Sequence, residues 1–184
     1  MESTTQIYLE IKPEKGDATG EAISGGYEGR IDITSFAFGI GAKPSTVKGS
    51  QKSDVAGNLD YDKISITKVF DDASLRLAGL LRDQRRFAEA KIAVDQQYVE
   101  AGVDKFRNEV LIIYLYRGNV ADFNVRTSEG QKGASIIETL SLTYQKICID
   151  YYAYDSDSSS GKLGDDYRLG YAPRFEAEVE EQTG

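Results

Sequence analysis

The stretch of sequence that decides the fold is LDYDKISITKVFDDASLRLAGLL, residues Leu59–Leu81. Its first half alternates in character, with Ile64 and Ile66 on one face, and this period of two is typical of a strand with one buried side. Asp71 and Asp72 come next, and acidic residues favour the start of a helix because they accept hydrogen bonds from its free amides. The leucines that follow recur at helical spacing and are Leu77, Leu80 and Leu81. The stretch therefore predicts a strand over residues 59–70 and then a helix of about three turns.

Alternation predicts further strands on both sides of this stretch. They cover residues 5–11, 30–39, 86–99, 106–128 (two strands with a break near 117–119) and 135–154. With strand 59–70 this makes about seven strands and one convincing helix. The pattern is typical of a mainly β protein, a small antiparallel β-barrel or sandwich with one short flanking α-helix.

The hydrophobic core is predicted from the apolar faces of these elements. Its members alternate along strands or recur along the helix. They are Phe36, Phe38, Ile64, Ile66, Leu77, Leu80, Leu81, Leu140 and Leu142.

Composition limits both the number of domains and the kind of partner. The chain has 184 residues, of which 40% are hydrophobic, so it is long enough for one domain with a buried core. The formal net charge is −8, which argues against a nucleic-acid surface. Residues 155–184 carry −5 of this charge and are rich in Ser and Gly. We predict a β-barrel domain over residues 1–154 and an acidic, flexible tail over residues 155–184.

The chain lacks the side chains that most catalytic and metal sites need. It has no histidine and one cysteine, Cys148, which excludes Ser–His or Cys–His catalysis and an internal disulfide framework, and argues against an ordinary zinc site. We predict no enzymatic activity, no metal and no cofactor. The N-terminus lacks a basic start followed by an apolar segment, and no apolar run is long enough to cross a membrane. We therefore expect production in the cytosol without a cleaved signal peptide and without membrane insertion.

An ordered set of features resembles the Hcp family, the haemolysin-coregulated proteins that form the tube of the bacterial type VI secretion system. The most specific parts are I-T-K-x-x-D-x-A-S-x-x-L, from Ile66 to Leu77, and E-T-x-S-L-x-Y-x-K-I, from Glu138 to Ile147. An IYLEI strand, a glycine-bearing loop ending in GYEGRIDITSFAFGIG and a long polar loop precede them in the same order. The resemblance extends from about residue 5 to residue 155.

The resemblance implies a subunit that assembles six to a ring, with rings stacked into a hollow tube. Implied partners are further copies of the chain, a spike protein at the tube tip, a contractile sheath and baseplate, and small effectors in the lumen. It also implies residence in the bacterial cytoplasm before firing, then secretion or delivery into target cells. The loop between residues 42 and 58 would contact the adjacent ring. The residues assigned to this contact are Lys43, Thr46, Val47, Lys48, Gln51, Lys52 and Asn58.

The segment from Phe36 to Gly41 raises a narrower question, because bulky and very small residues alternate along it. We expect Phe36, Phe38 and Ile40 to pack in the core. The small residues between them have two explanations: close approach of a neighbouring subunit, or relief of strand curvature.

Two other functions fit the same elements less well. A tail-tube protein of a contractile phage-like particle shares the architecture, and the sequence alone hardly separates it from a secretion tube. A small-ligand-binding β-barrel would need a cavity lined by one face of each strand.

Overall fold

Antiparallel strands make up most of the structure. The computed structural model describes residues 2–15, 29–42, 59–99, 106–130, 133–152 and 174–179. Within these residues there are eleven strands and one helix. They are β1 (Glu2–Pro13), β2 (Ile31–Ile33), β3 (Ser35–Ala37), β4 (Ile40–Ala42), β5 (Leu59–Tyr61), β6 (Ile64–Val69), α1 (Asp72–Arg82), β7 (Arg86–Val99), β8 (Phe106–Gly130), β9 (Gly133–Leu142), β10 (Lys146–Tyr151) and β11 (Arg174–Glu178). The predicted mainly β class with one short helix is confirmed.

Nine strands belong to one sheet, in the order β2-β1-β7-β8-β9-β6-β3, with β10 paired to β8 and β11 to β10. The two ends of this path, β2 and β3, are consecutive in the chain and are separated only by Thr34. The backbone amide of Thr34 donates to the carbonyl oxygen of Thr67 at 2.8 Å. No ladder joins β2 to β3 among the described residues, so chain continuity rather than strand pairing connects the ends of the sheet. The remaining pair, β4 and β5, forms a separate two-stranded sheet.

Among the described residues, one hydrophobic core lies against the inner face of the sheet. Of the predicted core residues, six are buried in it: Ile64, Ile66, Leu77, Leu80, Leu140 and Leu142. The other three, Phe36, Phe38 and Leu81, are partly buried and pack against it. Burial of each large aliphatic side chain contributes roughly 1.5–3 kcal/mol, so the six buried residues together contribute roughly 9–18 kcal/mol.

Helix α1 begins where the acidic pair predicts. Asp71 is the N-cap, and its side chain accepts a hydrogen bond from the backbone amide of Ser74 at 3.2 Å. Ser74 Oγ in turn accepts from the backbone amide of Asp71 at 2.9 Å. This reciprocal pair satisfies two amides that would otherwise lack partners at the helix start.

Three predicted strands are wrong in their continuity. Residues 30–39 form β2 and β3 rather than one strand, because β2 pairs with β1 whereas β3 pairs with β6. Residues 59–70 divide into β5, which pairs with β4, and β6, which pairs with β3 and β9. Residues 135–154 divide into β9 and β10, with residues 143–145 between them. Each interruption lies where the chain changes partner or bends, and hydrophobic periodicity does not record partners.

The predicted break near residues 117–119 marks a bend inside one long strand. β8 runs through it, but Arg117 has a φ of 54°, in the left-handed region. At Gly118 an added Cβ would lie 2.0 Å from the carbonyl oxygen of Thr143 and 2.3 Å from Phe87 Cζ. Only glycine fits such an approach, so this position fixes where β8 bends. The gap between β9 and β10 lies directly opposite.

Residues 174–179 belong to the predicted acidic tail, yet they are part of the sheet. β11 pairs with β10, and Val179 is buried in the core. The division into a domain and a tail stays a prediction, with this segment attached to the domain.

Candidate assembly site

The segment around Phe38 leads out of the main sheet into the β4–β5 hairpin. Phe36 and Phe38 face the core as expected, but the expectation for Ile40 is wrong, because 43% of this residue is exposed. Ile40 lies in β4, opposite Tyr61 of β5, where no layer of the core covers it. The chain therefore leaves the core between residues 38 and 40.

The small residues of this segment serve a contact within the chain at one position. An added Cβ on Gly39 would lie 2.6 Å from Asp62 Oδ2, and the Gly39 carbonyl accepts a hydrogen bond from the Asp62 amide at 3.0 Å. Gly41, by contrast, has nothing within 4 Å of such a Cβ, and Ala37 is exposed. The close atom belongs to the exposed Asp62 side chain, which can rotate away, so it is the backbone hydrogen bond that joins the start of the hairpin to the β5–β6 corner.

The residues predicted to contact an adjacent ring (Lys43, Thr46, Val47, Lys48, Gln51, Lys52 and Asn58) lie outside the described residues. The structure does place the two ends of their loop side by side, because Ala42 pairs with Leu59 at the end of the β4–β5 ladder. Leu59 is 57% exposed, so the base of the loop carries two exposed large apolar side chains, Leu59 and Ile40. A two-stranded hairpin is at best marginally stable alone in water.

A buried charge network joins β6, the start of α1 and β9. The Lys68 side chain is 0% exposed, and its Nζ lies 2.6 Å from Asp71 Oδ1 and 3.3 Å from Glu138 Oε1. Lys68 Nζ also donates to Ser74 Oγ at 3.0 Å and to the Val69 carbonyl at 2.7 Å. A buried ammonium group is tolerated only when it is paired in this way.

Glu138 depends on the same lysine. Its side chain is 0% exposed, and neither carboxylate oxygen accepts a hydrogen bond from the described residues. Lys68 and Glu138 are directly opposite each other in the β6–β9 ladder. The two sequence motifs that carry the family resemblance are therefore neighbouring strands joined by one buried ion pair.

Sequence reasoning missed this network, although a signal was present. Lys68 follows Ile64 and Ile66 on the apolar face of its strand, and Glu138 precedes Leu140 and Leu142 on the apolar face of another. A charge on an apolar face is rarely buried without a partner, and two opposite charges of this kind predict each other.

Tyr144 fixes the turn that follows β9. Its hydroxyl group donates to the Asp62 carbonyl at 2.9 Å, and the residue is 2% exposed. Burial, with smaller contributions from the negative charge of Asp62 and from Tyr61, raises the pKa of Tyr144 to about 12. The contact attaches the β9–β10 corner to the β5–β6 corner, next to the hairpin.

The outer face of the sheet carries charges of alternating sign. Arg30 lies 3.3 Å from Glu10 and 3.1 Å from Glu109, and Lys91 Nζ lies 3.0 Å from Glu109. Burial raises the pKa of Glu109, but hydrogen bonds from Lys91 and Arg30, together with their charges, outweigh burial and leave this pKa below its ordinary value. These charges are paired within the subunit.

The described residues offer little for metal chemistry or membrane insertion. They contain no group of three or more His, Cys, Asp or Glu side chains arranged to hold a metal ion. Among the same residues, α1 falls short of the length and apolarity that a bilayer-crossing helix requires. The features that stand out are surfaces and strand edges, which are the parts of a β protein that take part in assembly.

Comparison with known proteins identifies a family. The family model described as "Type VI secretion system effector, Hcp" matches residues 8–151. No curated protein matches the sequence. Among solved structures, the chain resembles one described as a type six secretion system protein, with 22% identity, a TM-score of 0.67 and coverage of 88% of this chain and 90% of that chain.

Two further structures have the same fold. Hcp1 from E. coli EAEC 042 has 15% identity and a TM-score of 0.63, over 94% of this chain and 97% of that chain. Hcp1 from Salmonella typhimurium has 17% identity and a TM-score of 0.59, over 81% of this chain and 87% of that chain. The likeness of fold and the match over residues 8–151 lead to one conclusion: the chain belongs to the Hcp family of type VI secretion proteins.

Proposed function

We propose that this chain is a structural subunit of a type VI secretion inner tube. Six copies form a ring, the rings stack into a hollow conduit, and the conduit carries small effectors while a contractile sheath propels it. The observation that carries the proposal is the family match over residues 8–151, which spans every described strand from β2 to β10. The role is mechanical and involves no turnover and no cofactor.

The packing of the subunit supports an assembly role over ligand binding. The inward side chains of the described strands pack into one buried cluster that includes Leu9, Ile92, Ile113 and Leu140. A ligand-binding barrel would instead line a cavity with these faces. Helix α1 contributes Leu77 and Leu80 to the same cluster and so adds to the filling of the interior.

Native mass is the direct test of the ring. Light scattering coupled to size exclusion, with negative-stain images of the peak, should give about six times the 20.3 kDa chain mass and annular particles. A monomer that persists at high protein concentration would contradict the proposal.

The contact between rings is assigned to the loop between residues 42 and 58 on the basis of the family resemblance, and its described ends pair beside exposed Ile40. Deletion of residues 46–55 should leave rings intact and abolish stacking into tubes. Replacement of the same residues by an equally long Gly/Ser segment separates loss of contacts from loss of length. Tubes of normal length from the deletion variant would refute the assignment.

The proposed partners are the spike at the tube tip, the baseplate and the sheath. The proposed location is the bacterial cytoplasm before firing, and the medium or a target cell afterwards. The test is immunoblotting of culture supernatant from the producing strain with and without its sheath protein. Release should depend on the sheath. If release does not depend on the sheath, and occurs only when cells lyse and complete particles appear, the chain is a phage-like tail tube instead.

A further inference from the structure

The last strand of the sheet occupies an edge that belongs to β10. The pairing is antiparallel over five positions, from Lys146 opposite Glu178 to Asp150 opposite Arg174. After the ladder, the Val179 amide donates to the Gln145 carbonyl at 2.7 Å, and the Val179 side chain enters the core. β11 therefore completes the sheet at this edge.

The connection between the two strands is far longer than their geometry requires. β10 ends at Tyr151 and β11 begins at Arg174, which lies opposite Asp150. Antiparallel neighbours of this kind are usually joined by about 2–5 residues. A connection from residue 152 to residue 173 spans up to about 70 Å when extended, which is enough for β11 to reach a neighbouring subunit.

Among the described residues, side-chain contacts made by β11 itself hold the strand in place. Glu178 pairs with Arg117 at 2.9 Å, and Glu176 pairs with Lys146. Arg174 Nε lies 3.4 Å from Asp150 and donates to Cys148 Sγ at 2.9 Å. Since every one of these partners lies on β8, β10 or β11, the same contacts form whether β11 comes from the same chain or from another copy.

Some of the side-chain contacts in this attachment are exposed to water. The side chains of Arg117 and Glu178 are 57% and 66% exposed, and Phe175 is exposed as well. Exposed ion pairs hold weakly, so β11 leaves more readily than a central strand does. Its departure opens the backbone groups of β10, and an open edge is a template for another strand of the same sequence.

We propose that residues 174–179 are an exchangeable strand, so that in an assembly the β11 of one copy occupies the β10 edge of its neighbour. The partner is a second copy of this chain. In a closed ring each copy would give its strand to the next one, which adds a covalently tethered contact to an interface built from two different patches. The inference does not need the ring, because exchange requires only that copies lie close together.

Register makes the test specific. Cys148, the single cysteine of the chain, lies directly opposite Glu176 in the β10–β11 ladder. Opposite positions of an antiparallel pair are at a distance that a disulfide can span. Two differently tagged chains are coexpressed: the natural chain, which supplies Cys148, and Cys148→Ser/Glu176→Cys, which supplies a thiol only on β11. Oxidation with copper phenanthroline in air then links the two tags only where β11 of one chain lies on β10 of the other.

The matched control is Cys148→Ser/Ala177→Cys, since position 177 is opposite Ile147 and faces the other side of the strand. We expect the Glu176→Cys pair to give at least tenfold more tag-to-tag disulfide than this control. A second variant, Glu176→Cys with Cys148 retained, reports where β11 lies even if the double variant folds poorly. Disulfide-linked oligomers from it support exchange. Complete closure within single chains, with no tag-to-tag product, would overturn the inference. The native mass of the natural chain is measured separately. A six-subunit ring without any exchange of β11 would refute this inference and leave the proposed function standing.

Discussion

Replacement of Lys68 by methionine is the sharpest test of the buried network. Methionine keeps most of the side-chain volume and removes the ammonium group. Asp71 retains its hydrogen bond from the Ser74 amide and is partly exposed, so water can replace what it loses. Glu138 loses its 3.3 Å ion pair, and it is 0% exposed with no hydrogen bond from the described residues.

The expected loss of stability depends on which buried charge loses its ion-pair partner. Removing one partner of a buried pair typically costs about 3–5 kcal/mol, a large part of a total stability of about 5–15 kcal/mol. Glu138→Leu is different, because Lys68 Nζ keeps Asp71, Ser74 Oγ and the Val69 carbonyl as acceptors. We therefore expect about 1 kcal/mol or less for Glu138→Leu and a similar value for the double variant, since neither leaves a buried charge unpaired.

The assay is urea unfolding followed by circular dichroism, with all variants at one protein concentration because assembly shifts apparent stability. In thermal unfolding followed by the same signal, Lys68→Met should lower Tm by roughly 6–20 °C for a chain of this size. Lys63→Met is the control, because its exposed ion pair with Asp122 is 3.9 Å long and should change stability by less than about 0.5 kcal/mol. If Lys68→Met costs no more than this control, or if adding Glu138→Leu restores nothing, the reasoning is refuted.

Three further predictions concern single positions. Gly118→Ala should lower stability by at least about 2 kcal/mol in urea unfolding, because the new Cβ would lie 2.0 Å from the Thr143 carbonyl oxygen. The control is Gly79→Ala on α1, where a new Cβ has nothing within 4 Å and stability should rise by about 0.5–1 kcal/mol. Equal effects of the two substitutions would contradict the packing argument. Tyr144→Phe should cost about 0.5–1.5 kcal/mol at neutral pH. In the natural chain the tyrosine contribution is complete below pH 10.0 and is lost as pH rises towards 12, so a Tm–pH curve that declines identically in both proteins would exclude this role. Because the pKa of Glu109 is lowered, its contribution to folding stability is present above pH 4.5 and is lost as pH falls below that value. Glu109→Gln should therefore flatten the acid side of the Tm–pH curve. An unchanged slope would argue against the ion pairs of Glu109.

Local features of the fold were predictable because local interactions create them. The capped start of α1 depends on Asp71 and Ser74, three residues apart, and the leucine spacing that follows identifies the buried face. Alternation likewise found most strands and the buried positions on β6 and β9. Pattern within a short window was sufficient wherever one face is buried and the other is exposed.

Features that depend on distant partners were not predictable from that pattern. The chain divides at Thr34 because β2 and β3 have different neighbours, although alternation continues across it. Ile40 alternates with core residues yet lies in a hairpin that leaves the core. The pairing of Lys68 with Glu138 is set by strand register over a long sequence separation, and only two charges on apolar faces hinted at it. β11 was hidden because its composition matches an acidic tail.

The length of β8 has a consequence for how the subunit unfolds under force or after cleavage of the chain. Its first half pairs with β7 and β10, and its second half pairs with β9, so one covalent strand belongs to three ladders of the sheet. A force that separates the two halves must shear many backbone hydrogen bonds together, rather than open them one at a time from an end. A cut at the peptide bond after Arg117, in contrast, would break the covalent link between the half of β8 that pairs with β10 and the half that pairs with β9. Toughness under load and vulnerability to a single break at the bend therefore have the same origin.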